Sequence, residues 1–198
     1  MCLQSIKTCA GSLFLFACIQ VVGAAPPPER CEYPPGLRDE ISKKYPGTHL
    51  VSLVDLGEYN RKLYQRDHGT RCPGVVRVNF YGDGKPTYAL VLIAGENPKR
   101  KAELIVARQV GEGWEIRSLS TTDGTPVVWR EGPGKYDDMY GEKKIRAKNP
   151  VIVLCWYGSS AIVYAWTAKR WKRSGFRISC IPYNPYYAPR VCSWALHP

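Results

Sequence analysis

Apolar and polar positions alternate along this chain in a way that separates two kinds of segment. From Gly36 to Tyr45 the apolar residues Leu37, Ile41 and Tyr45 recur every fourth position, which lines one face of a helix. Asp39 and Glu40 lie early and Lys43 and Lys44 late, suiting the helix dipole and i,i+4 pairing. Pro46-Gly47 ends the segment. Thr48 to Val54 is β-branched and apolar and predicts a strand. Asp55 then reads as the N-cap of a second helix, with Glu58 three residues on. Leu56, Tyr59 or Asn60, and Leu63 form its inward stripe, and Gly69 is its stop.

After Cys72-Pro73-Gly74 the period changes to that of strands. Val75 to Phe80 and Tyr88 to Ile93 predict a hairpin with a tight turn at Asp83-Gly84, where Gly84 supplies positive φ. Glu103 to Val110 and Trp114 to Ser120 predict a second hairpin across Gly111-Glu112-Gly113. Thr121 to Gly141 is polar and reads as a long loop with one strand at Val127-Val128-Trp129. Val151 to Trp156 and Ala161 to Trp166 predict a third hairpin, and Trp171 to Phe176 a last strand. Short turns between successive strands favour an antiparallel meander over βαβ units. The predicted fold is α+β: two short N-terminal helices packed on a twisted antiparallel β-sheet meander. The chain divides into 1–24, a signal peptide; 25–35, a Pro-rich linker; 36–177, one α+β domain; and 178–198, a Pro- and Tyr-rich tail.

The leader sets the compartment. Lys7 is the only charged residue before Glu29, and Leu13 to Val22 is an apolar run followed by Gly23-Ala24-Ala25. That is the pattern of a secretory signal peptide cleaved after Ala24. The run is shorter than the ~20 residues of a spanning helix, so an uncleaved anchor is the weaker reading. Leu15-Phe16-Ala17-Cys18 resembles a bacterial lipobox and offers lipid anchoring through Cys18 as an alternative, with Phe16 bulky where the motif prefers a smaller residue. The chain is therefore expected to be secreted or periplasmic, with no transmembrane helix in its mature part.

Of eight cysteines, Cys2, Cys9 and Cys18 leave with the signal, and Cys31, Cys72, Cys155, Cys180 and Cys192 remain. Export favours pairing. Cys180 with Cys192 is the first expected disulfide and Cys72 with Cys155 the second, leaving Cys31 over. No CxxC spacing or nearby His suggests zinc.

The balance is basic, with 28 Lys and Arg against 17 Asp and Glu and a net charge of +11. Such a charge suits an anionic partner such as nucleic acid, a phospholipid surface or a wall polymer, and also simple solubility. Lys99-Arg100-Lys101 and Lys169-Arg170-Trp171-Lys172-Arg173 are the dense clusters, each readable as a solvated turn. In the second, strand alternation sets Arg170 and Lys172 on one face, and Lys169, Arg170 and Lys172 form a candidate binding patch. The tail from Ile181 to Arg190 spaces aromatic rings with prolines, and Trp194 follows. Tyr186, Tyr187 and Trp194 are candidates for stacking on sugars or a partner, unless the tail is a strap covering a sheet edge.

Candidate chemistry is sparse. His68, with Asp67, Arg66 and Arg71 close by, is the best catalytic cluster, since an imidazole oriented by Asp67 titrates near neutrality. The alternative role is a helix-end residue. No Gly-x-Ser-x-Gly elbow, P-loop or dinucleotide fingerprint occurs, so no cofactor and no clear nucleic-acid motif is implied. Asp137-Asp138 offers a glycosidase carboxylate or half a metal site, but adjacent acids point in different directions on a strand, and the pair reads more simply as solvated loop.

The hairpin Asn79-Phe80-Tyr81-Gly82-Asp83-Gly84 resembles the calcium loop of FG-GAP (VCBS-type) repeats. The resemblance implies the hairpin more than the metal, because Asn79 and Asp83 stand at ligand positions while Tyr81 replaces a carboxylate. The segment Asp67 to Gly74, followed by the Gly-Asp-Gly-Lys-Pro hairpin, is similar to uncharacterised secreted proteins of soil bacteria. The leading expectation is an exported, non-enzymatic binding or envelope-associated protein that takes an anionic or protein partner. The rival is a small secreted hydrolase, phosphodiesterase- or nuclease-like, centred on His68.

Overall fold

Two adjacent strands, β3 (Thr87–Ala94) and β4 (Lys101–Val110), are apolar on both faces, and the architecture follows from covering them. The computed structural model describes residues 31–96, 99–137, 144–167 and 170–172, with 167 and 170–172 by their backbone alone. Leu90 and Leu92 of β3 and Ile105 and Ala107 of β4 point to one side. There they meet Leu37 and Ile41 of helix α1 (Pro35–Lys44). Each such buried Leu or Ile contributes ~1.5–3 kcal/mol of transfer free energy. Pro35 begins the helix without losing an amide bond, and the Lys44 ammonium reaches the carbonyl of Ile116 at 2.9 Å, fastening the helix end to the sheet. Lys43 pairs with Glu40, three residues back.

Ala89, Val91 and Ile93 of β3 and Ala102, Leu104 and Val106 of β4 point to the opposite side, into the larger apolar cluster. A second sheet closes that cluster. The first sheet runs β1 (His49–Leu50), β3, β4, β5 (Gly113–Asp123), with β2 (Val75–Val78) pairing the other half of the β3 edge. The second runs β11 (Arg170–Lys172), β10 (Ser160–Thr167), β9 (Val151–Trp156), β6 (Val127–Glu131). All described pairings are antiparallel. The class is thus α+β with antiparallel sheets.

Several expectations need correction. The strands do not form one meander: β6 skips over a hairpin, β7 (Gly134–Asp137) with β8 (Lys144–Ala147), to pair with β9. That hairpin's first strand falls in the stretch expected to be loop and its second just beyond that stretch. The expected strand Thr48–Val54 is two residues of β1, then a 3-10 turn at Leu53–Asp55 that leaves Val54 82% exposed. Asp55 does not cap the next helix. It accepts from the Ser52 amide at 2.9 Å and the Ser52 hydroxyl at 2.6 Å, and lies 3.1 Å from His49 Nε2. Helix α2 (Glu58–His68) starts from Gly57 and buries Tyr64, while Tyr59 is exposed. The turn between β2 and β3 is not tight. Val78 pairs with Thr87, so residues 79–86 form a wide loop, in which Gly82 has φ +72° and lies against the Asn149 side chain.

The disulfide pairing also differs. Cys72 is bonded to Cys31, with Cα atoms 5.1 Å apart, and not to Cys155. Cys155 sits fully buried in β9, inside the larger cluster. The expected Cys180–Cys192 pair lies outside the described residues.

Candidate functional site

Helix α2 ends at His68, where Gly69 adopts φ +65° and its amide returns to the Gln65 carbonyl at 2.8 Å. The chain then passes through Arg71 to the disulfide at Cys72. Three bonds fix this passage. Tyr64 Oη donates to the Cys72 carbonyl at 3.1 Å, the Val128 amide donates to the Pro73 carbonyl at 2.8 Å, and the Val91 amide donates to the Gly74 carbonyl at 2.8 Å. Gly74 allows the close fit, since a Cβ there would stand 2.2 Å from the Val51 carbonyl oxygen. The helix end, β2 and β6 are thereby locked around a groove of about 490 Å³.

The groove is cationic. Arg71 enters from the loop, Arg77 from β2 and Arg130 from β6, all three exposed. None of the three is in an ion pair among the described residues. One carboxylate shares the space: Glu131, whose Oε1 accepts from Trp129 Nε1 at 2.9 Å. The aromatic wall is Trp129, its ring 4.9 Å from that of His68, which in turn lies 4.8 Å from Tyr64.

His68 is half-buried, and its ring nitrogens have no hydrogen-bond partner among the described residues. Burial pushes its pKa below the usual value; nearby Arg71 adds to this and Asp67 opposes it. The imidazole is therefore neutral at neutral pH. Asp67 does not orient it. The Asp67 carboxylate is held by Arg66 at 2.7 and 3.1 Å, away from the groove. Of the sequence cluster, then, the fold gathers His68 and Arg71 and leaves out Asp67 and Arg66.

The remaining candidates lie apart. Asp83 is exposed, and its Oδ1 accepts from the Lys85 amide at 3.0 Å. Asn79 Oδ1 is buried without a hydrogen-bond partner. Among the described residues, no three His, Cys, Asp or Glu side chains converge. Arg170 and Lys172 belong to β11, paired with Thr167 and Ala165, and are described by backbone alone. Lys169, Tyr186, Tyr187 and Trp194 lie outside the described residues.

Arg77, Trp129, Arg130 and Glu131 were not foreseen. Their signal was faint but present: Arg77 interrupts Val75-Val76-Arg77-Val78, and Arg130 ends the apolar run from Val127. Neither position reveals its partner, because only the fold brings β2 and β6 together. Compared with protein-family models, curated proteins and solved structures, the chain matches none.

Proposed function

We propose that this chain is an exported binding protein that holds an anionic partner in the groove between α2, β2 and β6. The observation that carries the reading is the convergence of Arg71, Arg77 and Arg130, from three separate segments, with no ion pair among the described residues. Three such cations lining one groove give it a positive potential that attracts an anion. Export is supported by the leader and by the Cys31–Cys72 bond, a type of link that persists in oxidising compartments. No helix among the described residues is long and apolar enough to cross a membrane. The lipid anchor at Cys18 and the contributions of Lys169, Arg170, Lys172 and the tail aromatics remain part of this proposal as alternative or additional attachments.

One observation favours the rival hydrolase: a neutral imidazole among arginines suits a general base. Against it, Asp67 is engaged by Arg66 and does not orient the imidazole. Purified protein should bind soluble polyanions at low salt and turn over neither RNA nor peptidoglycan. Turnover abolished in folded His68→Ala would replace the binding reading with the hydrolase.

A further inference from the structure

The geometry points to an acidic saccharide as the ligand of this groove: a uronate-bearing sugar whose carboxylate lies on the arginines, whose hydroxyls meet Glu131 and His68, and whose ring face lies on Trp129. This rests on the anion-binding reading above and narrows it.

Four features select the ligand. First, every cation lining the groove is arginine. A planar guanidinium fork matches a carboxylate in two parallel bonds, which a lysine ammonium does not. Second, Glu131 lines the same groove as the arginines and is fixed by Trp129 Nε1 through one oxygen. Its other oxygen has no hydrogen-bond partner among the described residues. A carboxylate there repels a densely charged phosphate chain but accepts well from hydroxyl groups, so it separates a polyhydroxylated anion from a polyphosphate.

Third, His68 offers a donor and an acceptor on one neutral ring, the pairing that sugar hydroxyls use. Protonation would convert it to a plain cation, and burial beside Arg71 opposes that. Fourth, Trp129 provides an apolar platform on the same wall, and the space of about 490 Å³ falls within the ~300–1,000 Å³ of small-ligand sites. It fits a short stretch of glycan.

The test is calorimetric titration of the full chain with four probes: trigalacturonate, neutral cellotriose, citrate and a short ribo-oligonucleotide. Trigalacturonate is expected to bind best, with cellotriose at least about tenfold weaker for loss of the charged contacts. Citrate should be weaker as well, having no ring to place on Trp129. Glu131→Gln keeps an acceptor for Trp129 Nε1 and removes the charge. It should raise affinity for the oligonucleotide and not for trigalacturonate, with folding checked by circular dichroism. Tighter binding of the oligonucleotide than of trigalacturonate by the unaltered chain would overturn the saccharide assignment and leave the anionic groove standing. Cellotriose bound as tightly as trigalacturonate, or no binding of any anion, would overturn both.

Discussion

Two regions of this molecule hold arginines beside a glutamate, and they are built in opposite ways. Near the turn that joins β4 to β5, at the partly exposed edge of the larger cluster, Arg108 and Glu115 are direct cross-strand partners with Nε and Oε2 2.5 Å apart. Arg117, two residues along β5, donates to the other oxygen at 2.7 Å, and the Arg108 guanidinium also lies 4.6 Å over the Tyr81 ring. That cluster is closed: its charges face one another. In the groove, three exposed arginines and one glutamate line a common space, and the glutamate's hydrogen bond goes to an indole. The same residue types give a surface brace in one place and an open cationic site in the other. Net charge along the sequence does not distinguish them; register does, because an antiparallel pair sets opposite charges face to face, whereas the arginines of the groove come from a loop and two different sheets.

The disulfide is the sharpest difference, since it touches the groove and not the brace. Cys31→Ser with Cys72→Ser removes a link spanning 41 residues and should cost about 2–5 kcal/mol in denaturant unfolding. Amide exchange should rise most in α2 and residues 69–77, with β4 and β5 still protected. Equal loss of protection in both regions would show that the groove is no separate unit.

Next in size is binding. Arg71→Gln, Arg77→Gln and Arg130→Gln together should weaken polygalacturonate binding about 100-fold or more, given that bonds to charged groups contribute ~1.5–3 kcal/mol each. Thermal stability should change little, because these side chains are exposed. Arg108→Gln with Arg117→Gln should leave the affinity nearly as it was. A comparable loss in both variants would mean that binding follows net charge and that the groove has no special place in it.

How much of this was legible depends on how far apart the cooperating residues lie in the chain. The hairpin of β9 and β10 was readable because both strands are apolar runs joined by a short turn at Gly158. Helix α1 was readable from Leu37 and Ile41, four apart and both buried. The hairpin of β7 and β8 was not, because each strand is only four residues long and the inward positions Tyr136, Ile145 and Ala147 are too few to stand out among Gly, Lys, Arg and Asp. The wide loop of 79–86 was misread because Asp83-Gly84 satisfies a local turn rule, while the packing of Gly82 against Asn149 is a distant contact. The Cys31–Cys72 bond and the meeting of β2 with β6 are of that distant kind too. The one part of the site visible locally was His68 with Arg71, two ends of a single helix-to-loop passage.

A smaller effect lies in the pH dependence of His68. Its folded pKa is depressed by burial, with Arg71 adding to the shift, so between that value and about 6.5 the unfolded chain binds more protons than the folded one. Stability should therefore fall as pH drops through 6.5 and level off once the folded imidazole is protonated. His68→Gln should flatten this part of the curve. Arg108→Gln, in the brace, should not. An unfolding profile of His68→Gln parallel to that of the unaltered protein across pH 5–7 would show that the groove does not hold the ring neutral.

The smallest expected effect is the most direct test of the contrast. Hydrogen bonds from Arg108 and then Arg117 hold the Glu115 carboxyl below its usual pKa. Its contribution to stability is thus present above the unfolded value and lost as pH falls through the folded one. All three side chains are partly exposed, so solvent screens them, and Glu115→Gln should cost less than about 1 kcal/mol, and less still in high salt. Its more telling consequence is electrostatic. Without the carboxylate, Arg108 and Arg117 become an open pair like those of the groove. Introduced into the variant lacking Arg71, Arg77 and Arg130, Glu115→Gln should restore a weak, salt-sensitive retention of polygalacturonate, about twofold above that background. If no retention returns, freedom from a carboxylate is not what makes an arginine cluster on this fold receptive to anions, and the shape of the groove and its Trp129 wall must carry the difference.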